Sequence, residues 1–296
     1  MDVLIVGGGL SGLAVAAFLG ARGVACTVLE QEREVPRAPR NHLLTDATMR
    51  LLGSAGLDEP VRRIALDHAG RLFALNTLAD AERTLLRTPT GGVSCNEHEL
   101  EVLMLAEATR LGAEVRMGVR AADLDAEYVI AADDGTIRDS LGIGVHGSGT
   151  LGHLHTIRFR AELEERDGFL VRAVGGILLP EEPGTWSLSV PEAGDPGELV
   201  VKALGADMPV DLLGVTVTEV AARVADTFVH RRVVLMAKSA YTLPPAPGLH
   251  GNARIRDAYR LAEILGGEAP LDAYDRERRP AADQAMADAL KERYSP

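Results

Sequence analysis

The sequence is poor in the residues on which several classes of protein depend. Cysteine occurs only at Cys26 and Cys95, outside any CxxC pair, which argues against a disulfide framework and against a thiolate zinc site. Aromatic residues make up 4% of the chain, too few for a platform that stacks nucleic-acid bases. No apolar run reaches the ~20 residues that cross a bilayer. With no leader-like start, these features predict a cytoplasmic protein without a membrane partner.

Positive charge is also scarce. The 31 Lys and Arg residues are outnumbered by 43 Asp and Glu residues, so the net charge is −12 and a nucleic-acid partner is not expected. The alternating pair His153 and His155 lacks a third ligand nearby in the sequence, so no metal site is predicted. With 296 residues, 46% of them hydrophobic, the chain is long enough for one large α/β domain with a smaller excursion.

The order of elements predicts an α/β fold. Residues 2–6 and 24–30 read as buried strands on either side of a helix at 10–22, which makes a βαβ unit. Helix 97–111 ends at Gly112, and the hairpin at 68–95 precedes it. From about residue 144 the chain changes to antiparallel strands. A last strand at 231–237 leads to a helix at 252–265 and to a final charged helix.

The strongest local motif is Gly7-x-Gly9-x-x-Gly12, which follows a strand and opens a helix. The first glycine permits a tight turn, the second allows a pyrophosphate to approach the backbone, and the third lets the helix pack on the sheet. Glu30 ends the next strand, where its carboxylate can accept hydrogen bonds from ribose hydroxyls, so FAD or NAD is favoured over NADP. The residues predicted to hold the nucleotide are Gly7, Gly9, Leu10, Ser11, Gly12 and Glu30.

Several segments together resemble the group A flavoprotein monooxygenases, the p-hydroxybenzoate hydroxylase-like family, and especially its polyketide hydroxylases. They are DVLIVGGGLSGLAVAAFLGARG at the start, ELEVLMLAEATRLGAEVRMG, EYVIAADDGTIRDSLGI, the strands GSGTLGHLHTIRFRAEL and ILLPEEPGTWSLSV, and APLDAYDRERRPAADQAM at the end. The resemblance spans nearly the whole chain, and the combination is more specific than any single segment.

The resemblance implies a Rossmann-type FAD/NAD(P)-binding domain with a small antiparallel β-sheet substrate domain. The FAD-binding-like domain is predicted at residues 1–143 plus 225–296, and the middle domain at 144–224, which is shorter than usual for the family. It also implies cofactor contacts from Arg40 and Asp133, a hydrophobic, polyketide-like substrate and a homodimer as one possible assembly. In this family the flavin carries the redox chemistry.

The chain departs from the family where the flavin ring is expected. The family pattern Gly-Asp-Ala-Ala-His, a proline-rich loop and Gly-x-Gly-x-Asn aligns with residues 237–252. The changed positions are Ala237 for Gly, Lys238 for Asp, Tyr241 for His, and His250 and Arg254 for two glycines. Lysine offers only donors where the family has an acceptor, and side chains at close-approach glycines fill ligand volume. Glu97 replaces a Gln or Arg near the pyrophosphate, where an acid repels it.

FAD is therefore predicted with an intact adenosine half and a degenerate flavin-ring half, which leaves open that no cofactor is bound. Three functions remain open. The first is a tailoring enzyme of polyketide metabolism that has lost flavin redox chemistry and acts as a cyclase or isomerase. The second is an FAD-dependent hydroxylase or epoxidase. The third is a non-catalytic homologue that binds a nucleotide or a partner. Lys238, Tyr241, His250 and Arg254 are candidate catalytic residues for the first.

Overall fold

A computed structural model describes residues 1–37, 41–65, 71–87, 92–165, 167–245 and 248–294. The helices are α1 (Leu10–Ala21), α2 (Asp46–Gly53), α3 (Asp58–Arg63), α4 (Glu97–Arg110), α5 (Thr136–Ser140), α6 (Pro196–Leu204), α7 (Ala237–Ala240), α8 (His250–Glu263) and α9 (Asp272–Tyr294). The strands are β1 (Val3–Val6), β2 (Thr27–Glu30), β3 (Asn41–Leu44), β4 (Leu72–Leu75), β5 (Thr84–Arg87), β6 (Val93–Asn96), β7 (Glu114–Met117), β8 (Tyr128–Ala131), β9 (Val145–Arg160), β10 (Gly168–Val171), β11 (Gly176–Glu182), β12 (Thr185–Val190), β13 (Asp211–Ala225), β14 (Val229–His230), β15 (Val233–Leu235) and β16 (Tyr241–Thr242).

A six-stranded sheet forms the centre of the nucleotide-binding half. Its strand order is β14-β15-β8-β1-β2-β7, and all pairs are parallel except β14 with β15. Helix α1 packs between α4 and α8 and is buried along almost its whole length. The predicted βαβ unit is confirmed, as is helix 97–111, which the structure ends at Arg110 with Gly112 in the left-handed region (φ 98°). The α/β fold class is confirmed.

A second, eight-stranded sheet has the order β16-β13-β9-β12-β11-β10-β4-β5. Its hydrophobic core lies between the sheet and α6, where Phe159, Trp186 and Leu188 pack against Val200 and Leu204. Strands β4 and β5 form the predicted hairpin and belong to this sheet, although the division at residues 144–224 placed them in the FAD-binding-like part. The division of the chain into two domains stays a prediction in its other respects.

Helix α6 has no counterpart in the sequence-based prediction. The local sequence contains the missing signal, because Asp195 caps the helix by accepting a hydrogen bond from the Glu198 backbone at 2.9 Å, Pro196 occupies its first turn, and Gly205 follows it with φ 72°. No helix of the described residues is long and apolar enough to span a membrane.

Candidate functional site

The glycine-rich turn between β1 and α1 keeps its conformation because no side chain fits there. Gly7 has φ 109°, and a Cβ on it would lie 2.5 Å from the Ala132 carbonyl oxygen. A Cβ on Gly12 would overlap the Gly7 carbonyl oxygen. Gly9 has more room, since its nearest neighbour would be Glu101 Oε1 at 3.5 Å. The turn therefore has one fixed backbone shape at the start of α1, in which the amides of Gly7, Gly8 and Leu10 already donate hydrogen bonds within the protein.

The start of α1 can bind an anion. Gly9 is the N-cap without a side-chain cap, and the first turn contains no acidic residue. The first-turn amides of Ser11 and Gly12 have no acceptor within the helix, as in every α-helix, and the helix dipole places partial positive charge there. The Ser11 hydroxyl is buried and has no hydrogen-bond partner among the described residues. Each of these features suits a phosphate group at this position.

Two carboxylates hold the turn in place from outside. Glu30 Oε2 accepts a hydrogen bond from the Gly8 backbone at 2.6 Å, and Glu101 Oε1 accepts one from the Leu10 backbone at 2.7 Å. Glu30 thus lies at the end of β2 beside the turn, where the motif predicts the ribose. The sequence reasoning missed Glu101, although its position four residues after Glu97 puts both on one face of α4.

Glu97 forms a buried hydrogen bond with His42. Its Oε2 atom lies 2.8 Å from Nε2 of His42, and both side chains are about nine-tenths buried. The imidazole packs against α8, because a Cβ on Gly251 would lie 2.8 Å from His42 Nδ1. The acidic residue predicted to repel a pyrophosphate is therefore paired with a histidine from β3, a partner that the sequence spacing did not reveal.

The flavin-ring end of the site is built differently. Ala237 has φ 51°, in the region that favours glycine, so the backbone keeps the conformation of the family glycine while carrying a methyl group. The Lys238 ammonium lies 2.8 Å from Asp134 Oδ1, and the lysine is half exposed. A donor that is already paired with a carboxylate occupies the place where the family pattern has an acceptor.

Tyr241 belongs to a buried polar cluster. Its hydroxyl donates a hydrogen bond to Asp257 Oδ2 at 2.6 Å, and Arg278 Nε donates to Asp257 Oδ1 at 2.6 Å. Burial raises the pKa of Tyr241 well above its ordinary value and also raises the pKa of Asp257. Tyr241 is 6% exposed and stacks on Phe228, so its hydroxyl serves the packing of α8 against α9 in this structure.

His250 and Arg254 lie on the first turns of α8. His250 Nε2 is 3.2 Å from the Pro244 carbonyl oxygen, and Arg254 lies close enough to Tyr241 to lower its pKa, against the larger effect of burial. Lys238, Tyr241, His250 and Arg254 are thus each placed beside a different neighbour. Their role as a catalytic set stays a prediction.

Asn252 anchors the same turn to β3 and α2. Its side-chain oxygen accepts hydrogen bonds from the Thr45 backbone at 2.9 Å and from the Thr48 hydroxyl at 2.5 Å, and its amide nitrogen donates to Leu43 O at 2.8 Å. The asparagine that matches the family pattern therefore has a purely internal set of partners, which fixes the start of α8.

Two predicted cofactor contacts remain. The Asp133 carboxylate accepts a hydrogen bond from the Ile137 backbone at 3.0 Å and one from the Ser239 hydroxyl, so its oxygens connect α5 to α7. Arg40 lies outside the described residues. Their contacts with a cofactor stay predictions, as do those of the glycine-rich turn and Glu30.

The residues present fit the two halves of an FAD molecule unequally. The turn at Gly7–Gly12 and Glu30 fit an adenosine diphosphate, since they supply amide donors, clearance and a ribose acceptor. The ring half offers a paired lysine, a methyl group in a glycine conformation, and the side chains of His250 and Arg254 at predicted close-approach positions. No chemical step is therefore derived through a flavin.

The eight-stranded sheet has one polar face. Phe159, Ile157 and Trp186 point to the core on the α6 side, so alternation places Thr156, Arg158, Ser187 and Ser189 on the other side. Arg158 Nε donates to Glu181 Oε2 at 2.7 Å, and the other Glu181 oxygen is buried without a partner among the described residues. Asn41 lies on β3, which pairs with β6 in a separate two-stranded sheet. Its side-chain amide donates to Pro180 O at 2.9 Å and so links this small sheet to the eight-stranded sheet.

Neither metal-ligand clusters nor the two pockets below mark a second site among the described residues. The described residues contain no cluster of three or more His, Cys, Asp or Glu side chains that could hold a metal ion. Two cavities of about 310 and 280 Å³ occur, one beside Asn76 and Arg172 and the other beside Leu4 and Asp125. Neither is lined by the glycine-rich turn or by residues 237–254.

Comparison with known proteins identifies the family of the chain. The model of the FAD binding domain family matches residues 1–123 and 199–289. A putative polyketide hydroxylase of Streptomyces coelicolor is 30% identical over 98% of this chain and 57% of its own length. Aklavinone 12-hydroxylase RdmE of Streptomyces purpurascens is 31% identical over 98% of this chain and 68% of its own length. The chain thus spans between about half and two thirds of these relatives.

Solved structures give the same result. A ternary complex of aklavinone-11 hydroxylase with FAD and aklavinone superposes with a TM-score of 0.86 at 29% identity, over 98% of this chain and 68% of the other. The rebeccamycin biosynthetic enzyme RebC with reduced flavin superposes with a TM-score of 0.84 at 26% identity, over 98% of this chain and 67% of the other. These similarities support FAD as the cofactor of the fold. The chain belongs to the FAD binding domain family, in the polyketide hydroxylase branch of the group A flavoprotein monooxygenases.

Proposed function

We propose that this chain is a tailoring enzyme of polyketide-type metabolism that retains the adenosine diphosphate site of its family and acts without flavin redox chemistry. It would fold a hydrophobic substrate and promote a cyclisation or an isomerisation. The observation that supports the proposal is the pairing of Lys238 with Asp134 at 2.8 Å beside Ala237 at φ 51°, because a paired lysine and an alanine then stand where the family pattern has an acceptor and a glycine.

The substrate class follows from the relatives. Two of them are named for aklavinone, a polyketide, and one was solved with aklavinone bound. The polar face of the eight-stranded sheet, with Thr156, Arg158 and Ser189, supplies donors and acceptors for the hydroxyl and keto groups of such a molecule. Positioning a flexible chain in one folded conformation supplies up to ~7–11 kcal/mol of a barrier. Little further chemistry is then required from the protein.

Purification followed by two measurements tests the proposal. The visible absorbance spectrum reports bound flavin, and an assay with an aklavinone-type polyketide, without NAD(P)H and under anaerobic conditions, reports non-redox turnover. A colourless protein that converts the polyketide to an isomer of the same mass supports the proposal. A protein that contains flavin and turns over only with a reductant and oxygen contradicts it.

A second candidate function is an FAD-dependent hydroxylase or epoxidase of a polyketide or aromatic substrate. It is favoured by the intact glycine-rich turn and by the TM-score of 0.86 to a structure solved with FAD and substrate. When bound, FAD supplies oxygen activation, while Gly7–Gly12 and Glu30 hold its adenosine diphosphate part. A third candidate is a non-catalytic homologue, which a colourless and inert protein with measurable affinity for ADP would favour.

A further inference from the structure

On one face of the six-stranded sheet, the part formed by β1, β2 and β7 is only partly covered by the described residues, whereas parallel sheets normally have helices on both faces. Helix α1 lies on the Ile5 face, since a Cβ on Gly12 would be 3.2 Å from Ile5 Cγ2, and Val3, Ile5 and Val28 on that face are fully buried. The register pairs Leu4 with Thr27 and Leu29 with Arg116 on the opposite face. Leu4, Thr27, Leu29 and Arg116 are called the open sheet face below.

The open sheet face is bordered by a short loop. A cavity of about 280 Å³ lies over it, lined by Asp2, Leu4, Thr27, Leu29, Arg116, Asp123, Asp125 and Ala126. Leu4, Thr27 and Leu29 are only half-buried, although they lie in the inner strands β1 and β2. The side chains of Leu4 and Leu29 are therefore accessible beside the loop between β7 and β8.

The rim of the open sheet face is acidic. Asp2, Asp123, Asp125, Glu114 and Glu127 are all exposed, and Asp125 is 87% exposed. Three cations of the described residues lie at this rim and each has an acidic partner, the first being the Met1 ammonium, 3.8 Å from Glu127 Oε2. Arg116 Nε lies 2.8 Å from Glu114 Oε1, and Arg232 Nη1 lies 3.7 Å from Asp125 Oδ1. This excess of negative charge repels a second copy of a chain whose net charge is −12, and it attracts a cationic partner.

The dimensions of the face match one helix. Strands β1, β2 and β7 together span about 10 Å between the outer strand axes, which is about the diameter of an α-helix with its side chains. We propose that the open sheet face binds a basic amphipathic helix of a partner protein, whose apolar side chains rest on Leu4 and Leu29 and whose Lys or Arg side chains pair with Asp123 and Asp125. Leu29 adjoins the nucleotide site, because its carbonyl oxygen accepts a hydrogen bond from the Gly7 backbone at 2.9 Å. Asp123 and Asp125 are not among the residues of that site, so the proposal does not rest on the catalytic function.

Synthetic helical peptides of about 14 residues, roughly 21 Å long, test this proposal by fluorescence anisotropy. The first has leucine on one face and lysine on the other, the second has glutamate in place of lysine, and the third has serine in place of leucine. We expect saturable binding of the first peptide to the intact protein, and binding at least tenfold weaker for the other two. If the first and third peptides bind equally well, charge alone accounts for the binding, and the proposal is overturned.

Protein variants place the binding on this face. The double variant Asp123→Lys/Asp125→Lys is expected to weaken binding of the leucine/lysine peptide at least tenfold. The matched control Glu162→Lys/Glu164→Lys makes the same change of charge at exposed residues elsewhere and is expected to bind as the unchanged protein does. Equal effects of the two double variants would overturn the proposal. Sedimentation velocity is expected to show a monomer. A dimer that dissociates only in the Asp123→Lys/Asp125→Lys variant would also overturn the proposal, because the face would then bind a second copy of the chain.

Discussion

The two ends of the nucleotide site follow opposite rules. At the adenosine end, Gly7 and Gly12 occupy positions where any Cβ would collide with backbone. At the ring end, Ala237 occupies a glycine conformation with a methyl group, and a paired lysine lies beside it. The packing of β1, β8 and α1 restricts the adenosine end to glycine at these positions. At the ring end, other residue types replace those of the family pattern.

The largest expected effect lies at the adenosine end. Gly12→Ala places a methyl group on the Gly7 carbonyl oxygen, so β1 and α1 must move apart. We expect a loss of about 2–3 kcal/mol in the free energy of unfolding and the loss of measurable ADP binding. Thermal unfolding and calorimetric titration check both. Gly53→Ala at the end of α2 is the control, since its Cβ has 3.5 Å to the nearest atom; a similar loss there would contradict the geometric reason.

The next prediction concerns the buried cluster at the ring end. Arg278→Met removes the cation that lies 2.6 Å from Asp257 Oδ1 and leaves a buried carboxyl without its charged partner. We expect a loss of about 2 kcal/mol in the free energy of unfolding, measured by urea denaturation, because Asp257 loses a charged hydrogen-bond partner but keeps the Tyr241 hydroxyl. Arg276→Met on the same helix removes an exposed pair with Asp272 and is expected to cost at most about 0.5 kcal/mol. Equal costs would show that the cluster is not a structural centre.

A third change tests whether the ring end can be restored. The double variant Lys238→Asp/Arg254→Gly returns the family acceptor and one close-approach glycine. We expect the affinity for FAD to rise about tenfold while that for ADP stays unchanged, as measured by calorimetric titration. The single variant Arg256→Gly, two residues further along α8, controls for loss of helix propensity. No gain in FAD affinity after both changes would count against the remodelling of the ring end.

The smallest expected effect is at Ala237. A glycine there relieves the cost of a left-handed conformation for an L-residue, so Ala237→Gly is expected to raise the free energy of unfolding by about 0.5–1 kcal/mol. Ala240→Gly in the same short helix lacks that benefit, since Ala240 has no positive φ, and it is expected to destabilise by a similar amount. Chemical denaturation of both variants checks the sign. Destabilisation by Ala237→Gly would contradict the claim that the left-handed conformation of Ala237 costs free energy.

Local patterns predicted the parallel core because each signal was consistent with its neighbours. The motif with Gly7 and Gly12 lies between a predicted strand and a predicted helix, and Glu30 ends the next predicted strand. Gly112 follows the end of α4, as predicted. The contact of Glu97 with His42 could not be predicted in this way, because the two residues are 55 positions apart and meet only when β3 pairs with β6. The pairing of β4 with β10, which places β4 and β5 in the eight-stranded sheet, is also a long-range contact that local patterns do not predict.

The candidate site was predictable at one end only. The glycine spacing determines a backbone shape, and a backbone shape can be read from sequence. The partners of Lys238 and Tyr241 depend on where Asp134 and Asp257 lie in space, and the family pattern offers no guide to replaced residues. Tyr241 was therefore predicted as a site residue, while the structure encloses its hydroxyl between α8 and α9.

The ratio of the affinities for ADP and FAD, measured by calorimetric titration of the protein freed of bound ligand, tests the central claim most directly. The account predicts that the two ligands bind within about threefold of each other, because the flavin ring finds neither acceptor nor clearance beside Lys238 and Ala237. Binding of FAD at least a hundredfold tighter than ADP would show that the ring is held, and would contradict the account.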